Sequence, residues 1–473
     1  MLDNLQKICY TNKEFFSSFR EVFLEKRSSF TGRIGFVLAA AGSAVGLGNI
    51  WRFPYLAARY GGGIFLFVYV LLAVTFGFCL LIAEIALGRK TGKSVICAFS
   101  SLDSRFSFLG YLAAFIPMII LPYYSVIGGW VTKYAALYVT GGGASASKDG
   151  FFSAFAAEPI EPLTWFALFI LLTALIVLFG VEKGIERVSC VLMPVLVILT
   201  VGISVYALTQ EGALEGALYY LRPDFSAFGV ETVLAAMGQL FYSMSLAMGI
   251  MVTYGSYMKK DISIVSSARQ IGIFDTGIAF FAGLMIIPAV FSFSGGDASA
   301  LNQGPSLMFV TLPRVFDNMP FGHAVGAVFF LLVFLAALTS SISMMETIVS
   351  IIRDKFHISR RLACLTVLLF SLLLGVPSSL GNGLLDSVRI MGLSILDFFD
   401  FISNSVLMPI VALLTAVFVG YVIKTKTLSD EIEISAPFRE KPLFHVVIRY
   451  VAPILILLIL VSSVLNTFGV ITI

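Results

Sequence analysis

The stretch from Gly35 to Pro54 most restricts what this chain can become. It is apolar and long enough to cross a bilayer, yet its centre carries Gly42, Gly46 and Gly48, followed by Asn49, Arg52 and Pro54. Lipid offers no hydrogen-bond partners, so non-helical backbone survives at membrane depth only where protein buries it or where it lines a watery cavity. The stretch therefore reads as a membrane helix broken at a binding site.

The rest of the chain agrees with a membrane setting. Of 473 residues, 58% are hydrophobic and 12% charged, against about 25% charged in a soluble domain. The expected class is an all-α integral membrane protein in a lipid bilayer. The five cysteines (Cys9, Cys79, Cys97, Cys190 and Cys364) show no paired or metal-like spacing and read as small apolar residues. The first 30 residues contain no signal peptide. The amphipathic run 15–30 reads either as a surface helix or as a loose tail.

A crossing takes about 20 mostly apolar residues. Such runs lie near 34–56, 64–88, 108–139, 163–180, 185–208, 231–257, 268–293, 321–352, 362–380, 393–422 and 444–468. Eleven spans put the two termini on opposite sides. With the N-terminus inside, 24 of the 31 Lys and Arg residues fall in inner segments, and the positive-inside rule selects that orientation. The expected layout is a cytoplasmic segment, 1–33, followed by a single transmembrane domain, 34–473, with the C-terminus outside. The outer connections 140–150 and 294–305 are rich in Gly, Ser and Ala and read as loops.

The sixth span repeats the peculiarity of the first, with polar and glycine interruptions in Gly238-Gln-Leu-Phe-Tyr-Ser-Met-Ser-Leu-Ala-Met-Gly249. Interrupted spans in corresponding positions of two halves point to an inverted-repeat transporter with its site at the midplane. Ionisable and amide side chains at depth support a polar cavity: Asn49, Arg52, Glu84, Gln239, Ser243, Asp275, Asp397 and Asp400. Each alone could be a structural hydrogen bond or ion pair; eight of them over five spans point to convergence. In the eighth span, 336–343, small and hydroxyl residues fit close helix packing or a cation site in which Thr339 and Ser340 supply oxygens. Gly184 and Pro194 weaken the inner half of the fifth span, as a static kink or as a segment that unwinds.

These residues carry a resemblance. Ala41-Gly-Ser-Ala-Val-Gly-Leu-Gly-Asn-Ile-Trp-Arg-Phe-Pro54 resembles the signature of the neurotransmitter:sodium symporters, the sodium- and chloride-dependent transporters. Ala83-Glu-Ile-Ala-Leu-Gly-Arg89, Tyr123-Tyr124, Lys183-Gly-Ile-Glu-Arg187, Gly238-Gln239, Leu338-Thr-Ser-Ser341 and Asp400 match as well. Eleven spans look like the bacterial amino-acid branch. The resemblance implies a leucine-transporter-like 5+5 inverted repeat with unwound first and sixth helices. Repeat one would cover about 34–208, repeat two about 231–422, and the eleventh helix about 444–468. It implies sodium-coupled symport by alternating access in a bacterial inner membrane. The partners are an amino acid and Na+, with no nucleic acid, and the oligomeric state is left open.

Roles follow at matching positions. The substrate carboxylate would meet the amides of Leu47 and Gly48 and the hydroxyl of Tyr124; the ammonium would meet carbonyls of Ala44, Tyr242 and Ser243 and the hydroxyl of Ser245. Ile120, Tyr124, Tyr242, Met248, Ser340 and Met344 would line the side-chain pocket. The first sodium would take Ala44, Asn49, Ser243 and Asp275, and the second Gly42, Val45, Ala336, Thr339 and Ser340. Arg52 and Asp400, with Gln239 nearby, would form the outer gate. Arg27 and Asp354, beside Tyr257, would form the inner gate. Glu84 would accept hydrogen bonds from unwound backbone.

Two departures from the family pattern sharpen the expectation. Gly46 stands where relatives for amines lacking a carboxylate keep Asp, so the substrate should bring its own carboxylate. The apolar lining then implies a neutral hydrophobic or aromatic L-amino acid. Asp275 and Ala279 stand where chloride-dependent relatives have Asn and Ser. A fixed negative charge can replace the anion, which implies chloride independence; protonation of Asp275 during the cycle would add proton antiport. The rivals are a channel of the same fold, conducting without substrate, and an intramembrane enzyme. No His or Cys cluster at depth supports an enzyme, since His323, His357 and His445 lie near span ends.

Overall fold

The structure, a computed structural model, describes residues 29–295 and 305–467. Arg27, most of the run 15–30 and the core of the 294–305 loop lie outside the described residues. Among the described residues there are helices and no strand; Gly62–Pro223 and Ile390–Leu393 are isolated bridges.

Among the described residues nine helices are long and apolar enough to cross a membrane. They are α3 (Gly63–Thr91), α4 (Ser104–Val139), α5 (Glu161–Leu178), α6 (Val181–Leu208), α9 (Ile264–Ser294), α10 (Gly322–Phe356), α11 (Arg360–Leu380), α12 (Ile395–Val422) and α14 (Lys441–Leu465). A tenth crossing is the pair α1 (Arg33–Ala44) and α2 (Gly48–Arg59), bent by 55°. In the sixth-span region two short helices, α7 (Val230–Ser243) and α8 (Ile250–Gly255), are separated by six residues. Neither is long enough alone; counted as one crossing, they bring the number to the eleven expected. Where the ends of the other spans differ from the sequence reading, they do so by about one turn.

Two glycines let the inner half-helix α8 lie directly on α3. A Cβ on Gly88 would overlap the Val252 carbonyl, and one on Gly255 would overlap that of Ile85. With little hydrophobic drive between helices in lipid, such close backbone packing is the main source of attraction. The end of α3 is latched by Arg89, whose side chain is fully buried. It bonds Glu431 Oε1 of the short helix α13 (Lys424–Glu433) at 2.9 Å and the Ile262 carbonyl at 2.7 Å. Lys260 reaches the same Glu431 carboxylate at 2.6 Å. The inner end of α6 is a π-helical turn, Val181–Glu186, and α6 then runs helical through Pro194. Glu186 accepts from the Thr31 amide at 2.9 Å and from its hydroxyl, tying the start of α1 to α6.

Because Gly88 faces backbone rather than a flexible side chain, Gly88→Ala has no cheap way to relax. It should destabilise the protein by about 1–3 kcal/mol, seen as a lower melting temperature in detergent, whereas Gly202→Ala, which meets nothing within 4 Å, should leave it unchanged.

Candidate functional site

The helical ladder stops twice at the same depth. After Ala44, Val45 is extended (φ −77°, ψ 105°), and α2 restarts as a π-turn at Gly48. After Ser243, the chain passes through left-handed conformations at Ser245 (φ 52°), Ala247 (φ 62°) and Gly249 (φ 71°). For the two non-glycine residues this costs about 1–3 kcal/mol each, so surrounding bonds must hold them.

Those bonds come from three spans. Glu84 Oε1 on α3 accepts from the Ala247 amide at 2.7 Å. Ser245 donates to the Ser43 carbonyl at 3.0 Å, joining one break to the other. Gln239 Nε2 donates to the Gly48 carbonyl at 2.9 Å. Asn49 Oδ1 accepts from the Gly46 amide at 3.0 Å.

The other end of the Asn49 amide reaches a buried oxygen cluster. Nδ2 lies 2.8 Å from Asp275 Oδ1, 3.2 Å from the Asp275 carbonyl and 3.0 Å from Ser243 Oγ. Ser243 donates to Asp275 Oδ1 at 2.5 Å. Tyr69 completes the cluster, donating to Asp275 Oδ2 at 3.1 Å and lying 3.2 Å from Ser243 Oγ. Asn49 and Asp275 are 0% exposed. Among the described residues no basic side chain bonds the carboxylate, and its donors are neutral. A buried carboxylate is costly without a counter-charge, so this geometry suits a small hard cation.

The second candidate cation set also comes together. Ser340 Oγ lies 3.4 Å from the Gly42 carbonyl and 3.2 Å from that of Val45. Thr339 Oγ1 lies 3.1 Å from the Ala336 carbonyl. A Cβ on Gly42 would stand 3.2 Å from Thr339 Cβ, so Gly42 gives α1 its close approach to α10. Among the described residues no cluster of three or more His, Cys, Asp or Glu exists. The donors are hydroxyls, amides and carbonyls with a single carboxylate, which are ligands for hard cations.

Between these sets lies a cavity of about 30 Å³. All eleven substrate positions expected from the sequence line it: Ala44, Leu47, Gly48, Ile120, Tyr124, Tyr242, Ser243, Ser245, Met248, Ser340 and Met344. Ile250, not singled out by the sequence, adds to the apolar wall. The Tyr124 hydroxyl is buried beside Ser340 and the Leu47 amide without a well-formed hydrogen bond. A side chain at Gly46 would crowd it: a Cβ there would stand 2.7 Å from Ser340 Oγ and 3.2 Å from Tyr124 OH.

Tyr242 also borders a larger cavity of about 550 Å³, shared with Arg52, Tyr123 and Asp400. The expected outer ion pair is not formed. Arg52 stands over the Tyr242 ring at 5.4 Å, and Asp400 accepts from Tyr123 at 3.0 Å and Asn404 at 2.6 Å. Of the expected inner gate, Asp354 and Tyr257 are described. Arg27 is outside the described residues, and Asp354 Oδ2 accepts from the Ser94 amide at 2.7 Å. Tyr257 donates to Glu346 Oε1 at 2.8 Å, and Glu346 forms a buried ion pair with Arg360. The sequence reading missed Glu346, although an acid in the middle of an apolar run is the signal for such a pair. It also missed Tyr69, which nothing sets apart from the aromatic residues around it.

Residues 27–142 and 158–470 match the Sodium:neurotransmitter symporter family. The chain belongs to this family. A sodium-dependent transporter of Bacillus subtilis (strain 168), YhdH, is 36% identical over 456 residues, covering 95% of this chain and 99% of its own. The sodium- and chloride-dependent GABA transporter 2 of Homo sapiens is 25% identical over 479 residues, covering 90% of this chain and 78% of its own. The crystal structure of MhsT in complex with L-phenylalanine superposes with a TM-score of 0.84 at 39% identity, covering 93% of this chain and all of that one. The chain is therefore a multi-pass, sodium-dependent symporter with the leucine-transporter-like fold, and not an enzyme.

In a symporter the second break must hold its shape while its carbonyls stay available. Glu84→Ala would strand the buried Ala247 amide, at a cost of about 1–3 kcal/mol. Thermal unfolding should show that loss, and sodium-dependent ligand binding should weaken with it; an unchanged melting temperature would contradict the bond's role.

Proposed function

We propose that this symporter imports a neutral, hydrophobic or aromatic L-amino acid together with sodium and without a need for chloride. The observation that carries the substrate class is the cavity itself. Its lining combines a buried Tyr124 hydroxyl without a well-formed hydrogen bond and the start of α2 with the apolar Ile120, Met248, Ile250 and Met344. The restarted helix offers the Leu47 and Gly48 amides and a positive dipole end to a carboxylate. Carbonyls of Ala44, Tyr242 and Ser243 with the Ser245 hydroxyl take the ammonium. The L-phenylalanine complex of MhsT supports the same reading.

Sodium binds in two sets: Ala44, Asn49, Ser243 and Asp275, then Gly42, Val45, Ala336, Thr339 and Ser340. The first lies against the carboxylate end of the cavity, so substrate and cation neutralise each other where neither is well solvated. That mutual need is the coupling. Each sodium ion entering with the membrane potential contributes about 2.3 kcal/mol per 100 mV. Asp275, with Ala279 one turn on, supplies a fixed negative charge beside the cation, which supports chloride independence.

Outside, closure brings Arg52 onto Asp400, with Gln239 holding the Gly48 carbonyl and the Tyr242 ring covering the cavity. Inside, Tyr257, Glu346 and Arg360 join Asp354 and Arg27 in keeping the path shut. The excess of Lys and Arg on one side supports a cytoplasmic N-terminus, an outer C-terminus and residence in a bacterial inner membrane.

Binding of labelled L-phenylalanine should be at least about tenfold tighter in sodium than in potassium, the equivalent of about 1.4 kcal/mol; equal affinity would refute the coupling. Asp275→Ala should abolish that difference. In proteoliposomes, replacing chloride by gluconate should leave uptake nearly intact, and a collapse would sink the chloride reading. Competition by the amino acids should rank bulky apolar side chains first, with charged ones ineffective.

A further inference from the structure

Where α12 meets α14, one arginine is built into the helix surface with nothing to neutralise it. Arg449 stands between two half-exposed aromatic rings, its guanidinium carbon 5.2 Å from the Tyr421 centroid and 5.7 Å from that of Tyr450. Its Nε is shielded from solvent and has no hydrogen-bond partner. It forms no ion pair among the described residues. Of the acids between residues 424 and 441, Glu431 pairs with Arg89 and Lys260, Glu433 with Lys441 and Glu440 with Arg269, while Asp430 is exposed.

The depth of Arg449 is set by its neighbours. Tyr421 donates to the Arg449 carbonyl at 2.6 Å and is one residue from the end of α12. A Cβ on Gly420 would lie 3.4 Å from Arg449 Cα, so the two helices touch there. Tyrosine rings prefer the level where a membrane's headgroups begin, and Tyr421 and Tyr450 are two such rings beside the end of α12. Thr425 bonds His445 Nδ1 at 2.8 Å, which ties residues 424–426 to the turn of α14 just before Arg449. Lys424 and Lys426 flank that tie, and both are exposed. Lys424 is held left-handed at φ 61°, a conformation that costs a non-glycine residue about 1–3 kcal/mol and that persists only when its surroundings impose it.

We propose that Arg449, clamped between Tyr421 and Tyr450 and flanked by Lys424 and Lys426, binds the phosphate of an anionic membrane phospholipid. The planar guanidinium fork matches a phosphate two bonds at a time. The stacked rings hold that fork in place and leave its edge toward the bilayer. An unpaired arginine at this depth is expensive, and a lipid phosphate is the counter-charge that the surroundings provide. The lipid would seal the α12–α14 junction, on the helix that carries Asp400 toward its other end. The proposal depends on the membrane reading and is independent of which amino acid is carried.

The test uses the full chain in a neutral detergent, titrated with phosphatidylglycerol, phosphatidylcholine or glycerol 3-phosphate. Retained lipid is read by native mass spectrometry and stability by thermal unfolding. Phosphatidylglycerol should bind in preference to phosphatidylcholine and raise the melting temperature. Arg449→Gln should weaken it about fivefold, the worth of one cationic side chain at an anionic surface. Arg449→Lys, keeping charge without the fork, should fall between. Sodium-dependent amino-acid binding, measured on the same samples, should be unchanged. Equal binding of phosphatidylcholine, full competition by glycerol 3-phosphate, or wild-type phosphatidylglycerol affinity in Arg449→Gln would each overturn the proposal. Should Arg449→Gln fail to fold, the Lys424→Gln, Lys426→Gln double variant and Tyr450→Leu carry the same expectation of weakened phosphatidylglycerol binding.

Discussion

Backbone without helical partners, between Ala44 and Gly48 and between Ser243 and Ile250, is the constraint on which the rest of this structure depends. Each unpaired peptide group in lipid costs several kcal/mol, so two breaks at one depth can persist only inside a shell that satisfies them. Glu84, Asn49, Gln239 and Ser245 form that shell. They come from α3, from the restart of α2, from α7 and from the second break itself. The breaks therefore hold each other up, and the carbonyls left over are oxygens with spare lone pairs, facing a cavity. The same defect that threatens the helices makes the binding surface.

Acids in this chain fall into two groups by what faces them. Glu346 meets Arg360, and Glu431 meets Arg89 and Lys260; these pairs sit toward the inner ends of their spans and fasten helices. Among the described residues the side chains that bond Asp275 are Asn49, Ser243 and Tyr69, all neutral. Hydrogen bonds orient its oxygens but leave its charge unbalanced. A paired acid is a strut, whereas a buried carboxylate met by neutral donors still lacks a counter-charge. Arg449 mirrors this on the protein's outer surface, with aromatic rings in place of neutral donors.

Much of the site was legible because membrane depth makes polar residues conspicuous. Asn49, Glu84, Gln239 and Asp275 stood out in apolar runs, and every expected cavity residue does line the cavity. Tyr69 was invisible, since an aromatic residue in a membrane helix is ordinary until its hydroxyl is found on Asp275. In the inner network the sequence points to Tyr257 and Asp354, and the structure adds Glu346, which accepts from Tyr257, and the Ser94 amide, which Asp354 holds. Arg52 and Asp400 share a cavity wall without touching, because Arg52 lies over the Tyr242 ring and Asp400 is held by Tyr123 and Asn404.

The sequence by itself determined the membrane class, the span positions, the two breaks and the family, since these follow from hydropathy, glycine placement and local motifs along one chain. Only the tertiary structure decided how the first break closes its accounts: which carboxylate Asn49 reaches, which side chains crowd Gly46, and that the Tyr124 hydroxyl is buried beside Ser340. Those are distances between residues tens to hundreds of positions apart, and no local pattern encodes them. They arise when separate helices pack, and there the glycine-rich stretch turns from a weak helix into a binding site.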